Sequence, residues 1–314
     1  MIQTIKNRVK EAGSRVRVVS VSRLAELRED LDRFEAAEEL NGFQRYILHH
    51  IYQLDLPEGF EARSVLVAAT PAPPYARVEF EYGDRKHRML GMCRSDADGT
   101  GEELSMLLHR LLEEILTPAG YHVADAHRLP LKRLAVRSGL SVYGRNNITY
   151  SEGMGSYYTL FAFLTDLPAD PDGDDWTEVR LAEACDGCGV CIAACPTGAI
   201  RPERFLIDNE RCLTYFNEMP GDIPEWVPRD AFHCLYDCLD CQLGCPMNAP
   251  YKDHVAGPFR FDADETARIL DGLHPRDAEP GLACRMRILM MDEFHNVIPR
   301  NLRMMFDRQG PELW

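Results

Sequence analysis

Of the eleven cysteines in this 314-residue chain, all but Cys93 and Cys284 fall between positions 185 and 245. The stretch CDGCGVCIAACP (185–196) separates Cys185, Cys188, Cys191 and Cys195 by two, two and three residues and ends on Pro196. Three thiolates so spaced can wrap three corners of one iron–sulfur cubane, while the fourth, on the following helix, points at a different cluster. Gly187 and Gly189 let the loop fold tightly. CLDCQLGCP (238–246) repeats the ending with Cys238, Cys241 and Cys245 before Pro246, but lacks a leading cysteine at 235. Reciprocal exchange assigns Cys185, Cys188, Cys191 and Cys245 to one [4Fe–4S] cluster. Cys195, Cys238 and Cys241 go to the other, with either Cys212 or Cys234 completing it. Structural zinc uses paired hooks with wider gaps and explains this twice-used Cys-Pro ending poorly. Cys93 and Cys284, far from the others, read as packed thiols.

Clustered thiols in a chain of this length point to metal or redox chemistry in a reducing compartment. The opening MIQTIKNRVKEAGSRVRVV has charges every few residues and no apolar core, so the expectation is a cytoplasmic protein. No run of eighteen apolar residues is present, and no membrane partner is expected. A net charge of −15 argues against a surface that is nucleic-acid-binding throughout. The stretch 127–145 is locally basic, with Arg128, Lys132, Arg133, Arg137 and Arg145. It reads either as a solvated helix face or as the seat of a phosphate-bearing ligand. Neither a dinucleotide nor a nucleoside-triphosphate glycine motif occurs.

The elements that must position these residues follow from periodicity. Leu24, Leu27, Leu31 and Phe34 form one stripe of a helix over 22–40 with Ser22 as its cap. RSVLVAAT (63–70) and YYTLFAFLTDL (157–167) read as buried strands, and Val78, Phe80 and Tyr82 alternate into a hairpin at Gly83-Asp84. Leucines across 102–116 predict a strongly amphipathic helix, a basic helix covers 129–138 and ends at Gly139, and another lies near 283–293. Helices and strands alternate to about 167, which gives an α/β or α+β layer structure. The Pro- and Asp-rich segment 167–178 marks a boundary. The predicted division is therefore 1–170, a cysteine-rich domain over 171–255, and a helical tail over 256–314.

Four stretches carry a family likeness: GFEARSVLVAATP (59–71), the 125–167 segment from Asp125 through GRNN and GMGSYY, CLTYFNE (212–218) and CLDCQLGCPMN (238–248). In these the chain resembles the epoxyqueuosine reductase family, relatives of corrinoid-dependent reductive dehalogenases. The resemblance implies an α+β protein: an α/β corrinoid-binding, nitroreductase-like core followed by a bacterial-ferredoxin-like domain with two [4Fe–4S] clusters. It implies Cys212 as the eighth ligand. It places the proton donor on Asp125 and cofactor contacts on Arg145, Asn146, Gly155, Ser156, Thr214 and Tyr215. The family uses cobalamin and a low-potential donor of ferredoxin or flavodoxin type to reduce a tRNA epoxide to an alkene. The chain departs from the family's pattern where Arg145 replaces a lysine and Val142-Tyr143 an aromatic–Ile pair, so a small-molecule substrate stands beside tRNA. A non-catalytic electron-transfer or corrinoid-reducing protein is the alternative, and Asp125 could simply cap the 129–138 helix.

Overall fold

The computed structural model describes residues 1–73, 75–93, 104–169, 176–253 and 255–307. The chain begins α1 (Ile2–Glu11), β1 (Arg15–Ser20), α2 (Arg23–Ala36), α3 (Gly42–Tyr46) and β2 (Ser64–Pro71). There follow β3 (Ala76–Tyr82), β4 (Arg85–Gly91), α4 (Leu104–Leu116), β5 (Val123–Asp125), α5 (Leu131–Arg137), β6 (Val142–Tyr143), β7 (Thr149–Tyr150) and β8 (Tyr158–Thr165). The remainder carries α6 (Val190–Ala194), α7 (Leu213–Glu218), α8 (Asp240–Leu243), β9 (Ala256–Phe261), α9 (Ala263–Leu270), α10 (Pro280–Ile288) and α11 (Ile298–Phe306). Two compact units result: Met1–Pro71 with Glu102–Cys188, and Ala72–Gly101 with Gly189–Trp314.

The first unit is built on a sheet of order β1-β2-β8-β5, antiparallel throughout. Strand β2 is buried along nearly its whole length because both faces of the sheet are covered. Val65, Val67 and Ala69 pack with Leu134 and Ala135 of α5 and Leu27 of α2. The alternate residues Leu66 and Ala68 pack with Ile5 and Val9 of α1 and Leu108, Leu112 and Leu116 of α4. Period-two alternation thus feeds two separate cores, which is why the run is apolar without interruption. The helices expected from sequence are present with shifted ends. The 22–40 helix stops at Ala36, just before Glu38 turns left-handed (φ 55). Helix α5 ends where Gly139 (φ 68) turns the chain, its amide donating to the Val136 carbonyl.

The second unit pairs the β3–β4 hairpin, which turns at Gly83-Asp84, with β9 in the order β4-β3-β9. Here β9 runs parallel to β3, with Val78 opposite Phe259 and Phe80 opposite Phe261. Phe80 and Phe261 stack at 4.6 Å between centroids, inside a core that also takes Leu282, Met286, Leu302 and Phe306. This partition differs from the 1–170, 171–255, 256–314 division. The hairpin at 76–91 belongs with the part of the cysteine region from Gly189 onward and with the tail because its partner strand is Ala256–Phe261, while Cys185 and Cys188 fall in the first unit. The tail helix near 283–293 begins earlier, at Pro280, and ends before Met290 (φ 54). Among the described residues no helix is long and apolar enough to cross a membrane.

Candidate functional site

The two cysteine groups share one local design. Gly189 (φ 89) starts α6, which carries Cys191 and leads to Cys195-Pro196; Leu239 (φ 68) starts α8, which carries Cys241 and leads to Cys245-Pro246. In each case a left-handed residue turns the chain into the short helix. Glycine takes that conformation freely, whereas Leu239 carries a cost of about 1–2 kcal/mol. The absent Cβ of Gly244 leaves room for Val190, whose methyl would be 3.3 Å away. Cys185 ends a short 3-10 turn, and the Cys188 amide donates to its carbonyl at 3.3 Å. None of the eleven cysteines is joined in a disulfide.

The donor set fits iron–sulfur ligation. The Ala199 amide donates to Cys195 Sγ at 3.2 Å, the kind of N–H···S contact that favours the thiolate. Burial pushes the Cys238 thiol far up, the Asp240 charge adding to it, so without a metal the proton stays on and metal binding must displace it. Burial likewise raises Cys212, while hydrogen bonds from Thr214 oppose the rise. Cys234 is differently placed. It is 1% exposed, packs with Leu90 and Leu239, and donates its S–H to the Cys238 carbonyl at 3.3 Å. Cys212 stands at the N-cap of α7. Among the described residues no group of three or more His, Cys, Asp or Glu side chains is arranged to hold a single metal ion.

Thr214 and Tyr215, expected at a cofactor, lie in the first turns of α7. Thr214 Oγ1 donates to Asp237 Oδ1 at 2.8 Å, and the same oxygen accepts from the Cys238 amide at 2.7 Å. The threonine therefore braces the loop that carries Cys238, while Tyr215 meets Phe216 edge-on at 5.6 Å.

The other candidates lie in the first unit. Asp125 closes the short edge strand β5, with its side chain 50% exposed, and meets His109 Nδ1 of α4 at 3.0 Å. Helix α5 has Pro130 as its N-cap residue, so Asp125 is not a helix cap. His109 also lies 3.6 Å from Glu113 and edge-on to Phe163 at 5.8 Å. Arg145 and Asn146 form the turn between β6 and β7. Asn146 is 2% exposed, donates to Tyr150 Oη at 2.9 Å and accepts from the Ile148 amide, so its amide group shapes the turn. Gly155 (φ 59) bridges to Ser151, and Ser156 follows it half-buried. Nearby in sequence, Ser141 Oγ and Tyr158 Oη are buried without a well-formed hydrogen bond, and burial raises the Tyr158 phenol.

Two arginines of the basic stretch are turned inward rather than lying on a solvated face. Arg137 is 5% exposed and donates twice to Asp30, at 2.9 and 2.7 Å, and the pairing raises its pKa further. Arg133, 8% exposed, lies over the Phe34 ring and 3.8 Å from the same carboxylate. Arg128 donates to the His50 and Ile51 carbonyls, and Lys132 to that of Asn147. Sequence reading missed Asp30 and His109 because each sits in a helix whose pattern shows only its apolar stripe. Cys93 is buried as expected, whereas Cys284 is exposed.

Residues 184–248 match the family model described as a 4Fe-4S double cluster binding domain. Over 189 residues the chain is 28% identical to the epoxyqueuosine reductase of Leadbetterella byssophila, covering 60% of this chain and 57% of that one. The chain thus spans just over half the length of that curated relative. The structure superposes on that of epoxyqueuosine reductase from Streptococcus thermophilus with a TM-score of 0.64 at 18% identity, over 98% of this chain and 80% of the other. The chain is similar in sequence and in fold to epoxyqueuosine reductases. Another superposition is with an epoxyqueuosine reductase crystallised with an epoxyqueuosine-modified tRNA stem loop, at a TM-score of 0.62 and 18% identity, over 97% and 81% of the two chains. At these identities the structural likeness establishes the α+β fold. The match at 184–248 identifies the cysteine region as ferredoxin-like, with provision for two [4Fe–4S] clusters.

Proposed function

We propose that the chain is an oxidoreductase that draws electrons from a low-potential ferredoxin- or flavodoxin-type donor through two [4Fe–4S] clusters. It spends them in a corrinoid-dependent reductive deoxygenation or elimination of the epoxyqueuosine reductase type. The observation that carries this reading is the combination, in one chain, of the double-cluster match at 184–248 with an epoxyqueuosine reductase fold over 98% of the chain. The ligands would be Cys185, Cys188, Cys191 and Cys245 for one cluster and Cys195, Cys212, Cys238 and Cys241 for the other. Cys212 is preferred to Cys234 because the latter's thiol is packed and already donates to a carbonyl. Eight thiols that must stay reduced suit a cytoplasmic setting.

A corrinoid, when bound, would supply the low-valent metal that attacks or reduces the substrate. Arg145, Gly155 and Ser156 are the residues proposed to hold it, with the buried hydroxyls of Ser141 and Tyr158 as further polar groups of the same unit. Asn146 and Thr214 would act indirectly, since their side chains are engaged within the turn and the cysteine loop. Asp125 would give a proton to the leaving oxygen. Its exposure keeps it open to solvent protons, and His109 at 3.0 Å can hold and refill it.

An epoxyqueuosine tRNA is the first substrate to offer, since an epoxyqueuosine reductase of the same fold has been crystallised with that modified stem loop. The internal use of Arg128, Lys132, Arg133 and Arg137 weighs towards weak, salt-sensitive tRNA contact, and a small epoxide or halide is the second substrate class. The test is anaerobic turnover with a chemical reductant. Wild-type protein should convert one of these substrates, and Asp125→Asn should lose about 10²–10⁴-fold in rate with unchanged iron and cobalt content. An Asn variant that turns over normally removes Asp125 from the mechanism. Reconstituted protein that takes up no cobalamin removes the corrinoid.

A further inference from the structure

Helix α11 lies outside the cysteine region in sequence, yet two of its polar residues reach into it. Asn301 is 0% exposed, and its Nδ2 donates to the Asn217 carbonyl at 2.9 Å and to the Leu235 carbonyl at 2.8 Å. Its Oδ1 accepts from Arg300 Nε at 3.0 Å and Nη2 at 2.9 Å. The guanidinium then closes the end of α7: Nη2 donates to the Phe216 carbonyl at 2.6 Å, and Nη1 to the Met219 and Gly221 carbonyls at 3.0 and 2.6 Å. The last carbonyls of a helix have no partner within it, and a cation there answers both the missing donors and the negative end of the dipole. This satisfies the C-terminus of a six-residue helix whose N-cap is Cys212.

The chain of contacts continues to the other thiols. Asn217 is 0% exposed, and its Nδ2 donates to the Asp237 carbonyl at 2.6 Å. Asp237 holds a left-handed backbone (φ 65) and accepts from Thr214 and from the Cys238 amide. Leu239, also left-handed, starts the helix that carries Cys241. Two left-handed non-glycine residues separated by one position persist only where the surroundings over-determine them. Here those surroundings are α7, held in turn by Arg300 and Asn301.

We propose that Arg300 and Asn301 are positioning residues for one of the two clusters, the one assigned to Cys195, Cys212, Cys238 and Cys241. By fixing α7 and the Leu235–Cys238 loop together, they set the separation of Cys212, Cys238 and Cys241. The tail is in this sense part of the cluster's mounting. Of the other cluster's assigned ligands, Cys185, Cys188, Cys191 and Cys245, only Cys245 follows on the same segment, just beyond α8. The proposal rests on the two-cluster reading.

The test compares three full-length variants with wild type after anaerobic reconstitution, by iron and sulfide content, electron paramagnetic resonance of the reduced state, and thermal melting. Asn301→Asp keeps the shape and the acceptor for Arg300 but cannot donate to both carbonyls. Arg300→Gln removes the cation and most of the donors. Leu302→Ala, at a core position of the same helix that is 0% exposed, removes only packing. The two polar variants should fall from about eight irons towards about four, or keep eight with one of the two reduced signals altered in shape and potential. Leu302→Ala should melt lower with both signals intact. If Leu302→Ala disturbs the same signal as much as Arg300→Gln, or if both polar variants keep wild-type spectra, the positioning role is wrong. Wild-type protein that itself holds only about four irons overturns the two-cluster reading and the proposal with it.

Discussion

Glu218, in the last turn of α7, faces burial together with the charges of Asp237 and Glu293, and these raise its carboxyl from 4.5 to about 8. Between those two values the folded protein keeps a proton that the unfolded chain has released. Stability therefore falls as pH rises through the window, and the penalty is absent below about pH 4.5, where both states hold the proton. At about 1.4 kcal/mol per pH unit, on the order of 3 kcal/mol is withdrawn between pH 5.5 and 8, after which the loss levels off. Glu218→Gln keeps the shape and cannot ionise. The variant should gain on wild type steadily from pH 5.5 to 8 and hold a constant lead above it. For a unit of this size that lead corresponds to roughly 6–12 °C in melting temperature. Anaerobic melting of the two proteins across pH 5.5–9 measures it, since every other titration cancels in the difference. Infrared difference spectra at pH 7 should also show a protonated carboxyl in wild type that is missing from the variant. A lead that does not change with pH, or wild type and variant with the same carboxyl spectrum, refutes the assignment of a half-buried, proton-bearing Glu218.

The packed position of Cys234 predicts that Cys234→Ala leaves the iron content near wild type, whereas Cys212→Ala loses up to half of it; iron counts that reverse this order assign the eighth ligand to Cys234. Asp30 is 5% exposed and anchors Arg137 and Arg133, so Asp30→Ala strands buried cations and should cost about 3–5 kcal/mol, read by urea unfolding of the first unit's signal. Loss of less than about 1 kcal/mol would mean that water or Glu178 takes over the pairing.

The sequence by itself carried the chemistry of the cysteines, because ligand spacing around a cluster is local. A Cys-x2-Cys-x2-Cys-x3-Cys-Pro run states how many thiols lie within one turn, whatever surrounds it. It also carried the buried strand Ser64–Pro71, the strand Tyr158–Thr165, buried only in its second half, and the hairpin Ala76–Gly91, since alternation and turn residues act over a few positions. What it left open was decided by partners distant in the chain. Alternating helices and strands suggested layers, but the antiparallel order β1-β2-β8-β5 and the transfer of the hairpin to the second unit follow from which edges pair, β3 with β9 above all. The arginines of 127–145 read as a charged surface until Asp30, from a helix about a hundred residues earlier, took two of them into the interior. Asp125 gained His109 and lost its role as a cap in the same way. The proposed preference for Cys212 over Cys234 rests on burial. Spacing can count thiols, but which of them stays open to a cluster depends on the side chains packed around each, here Leu90 and Leu239 against Cys234.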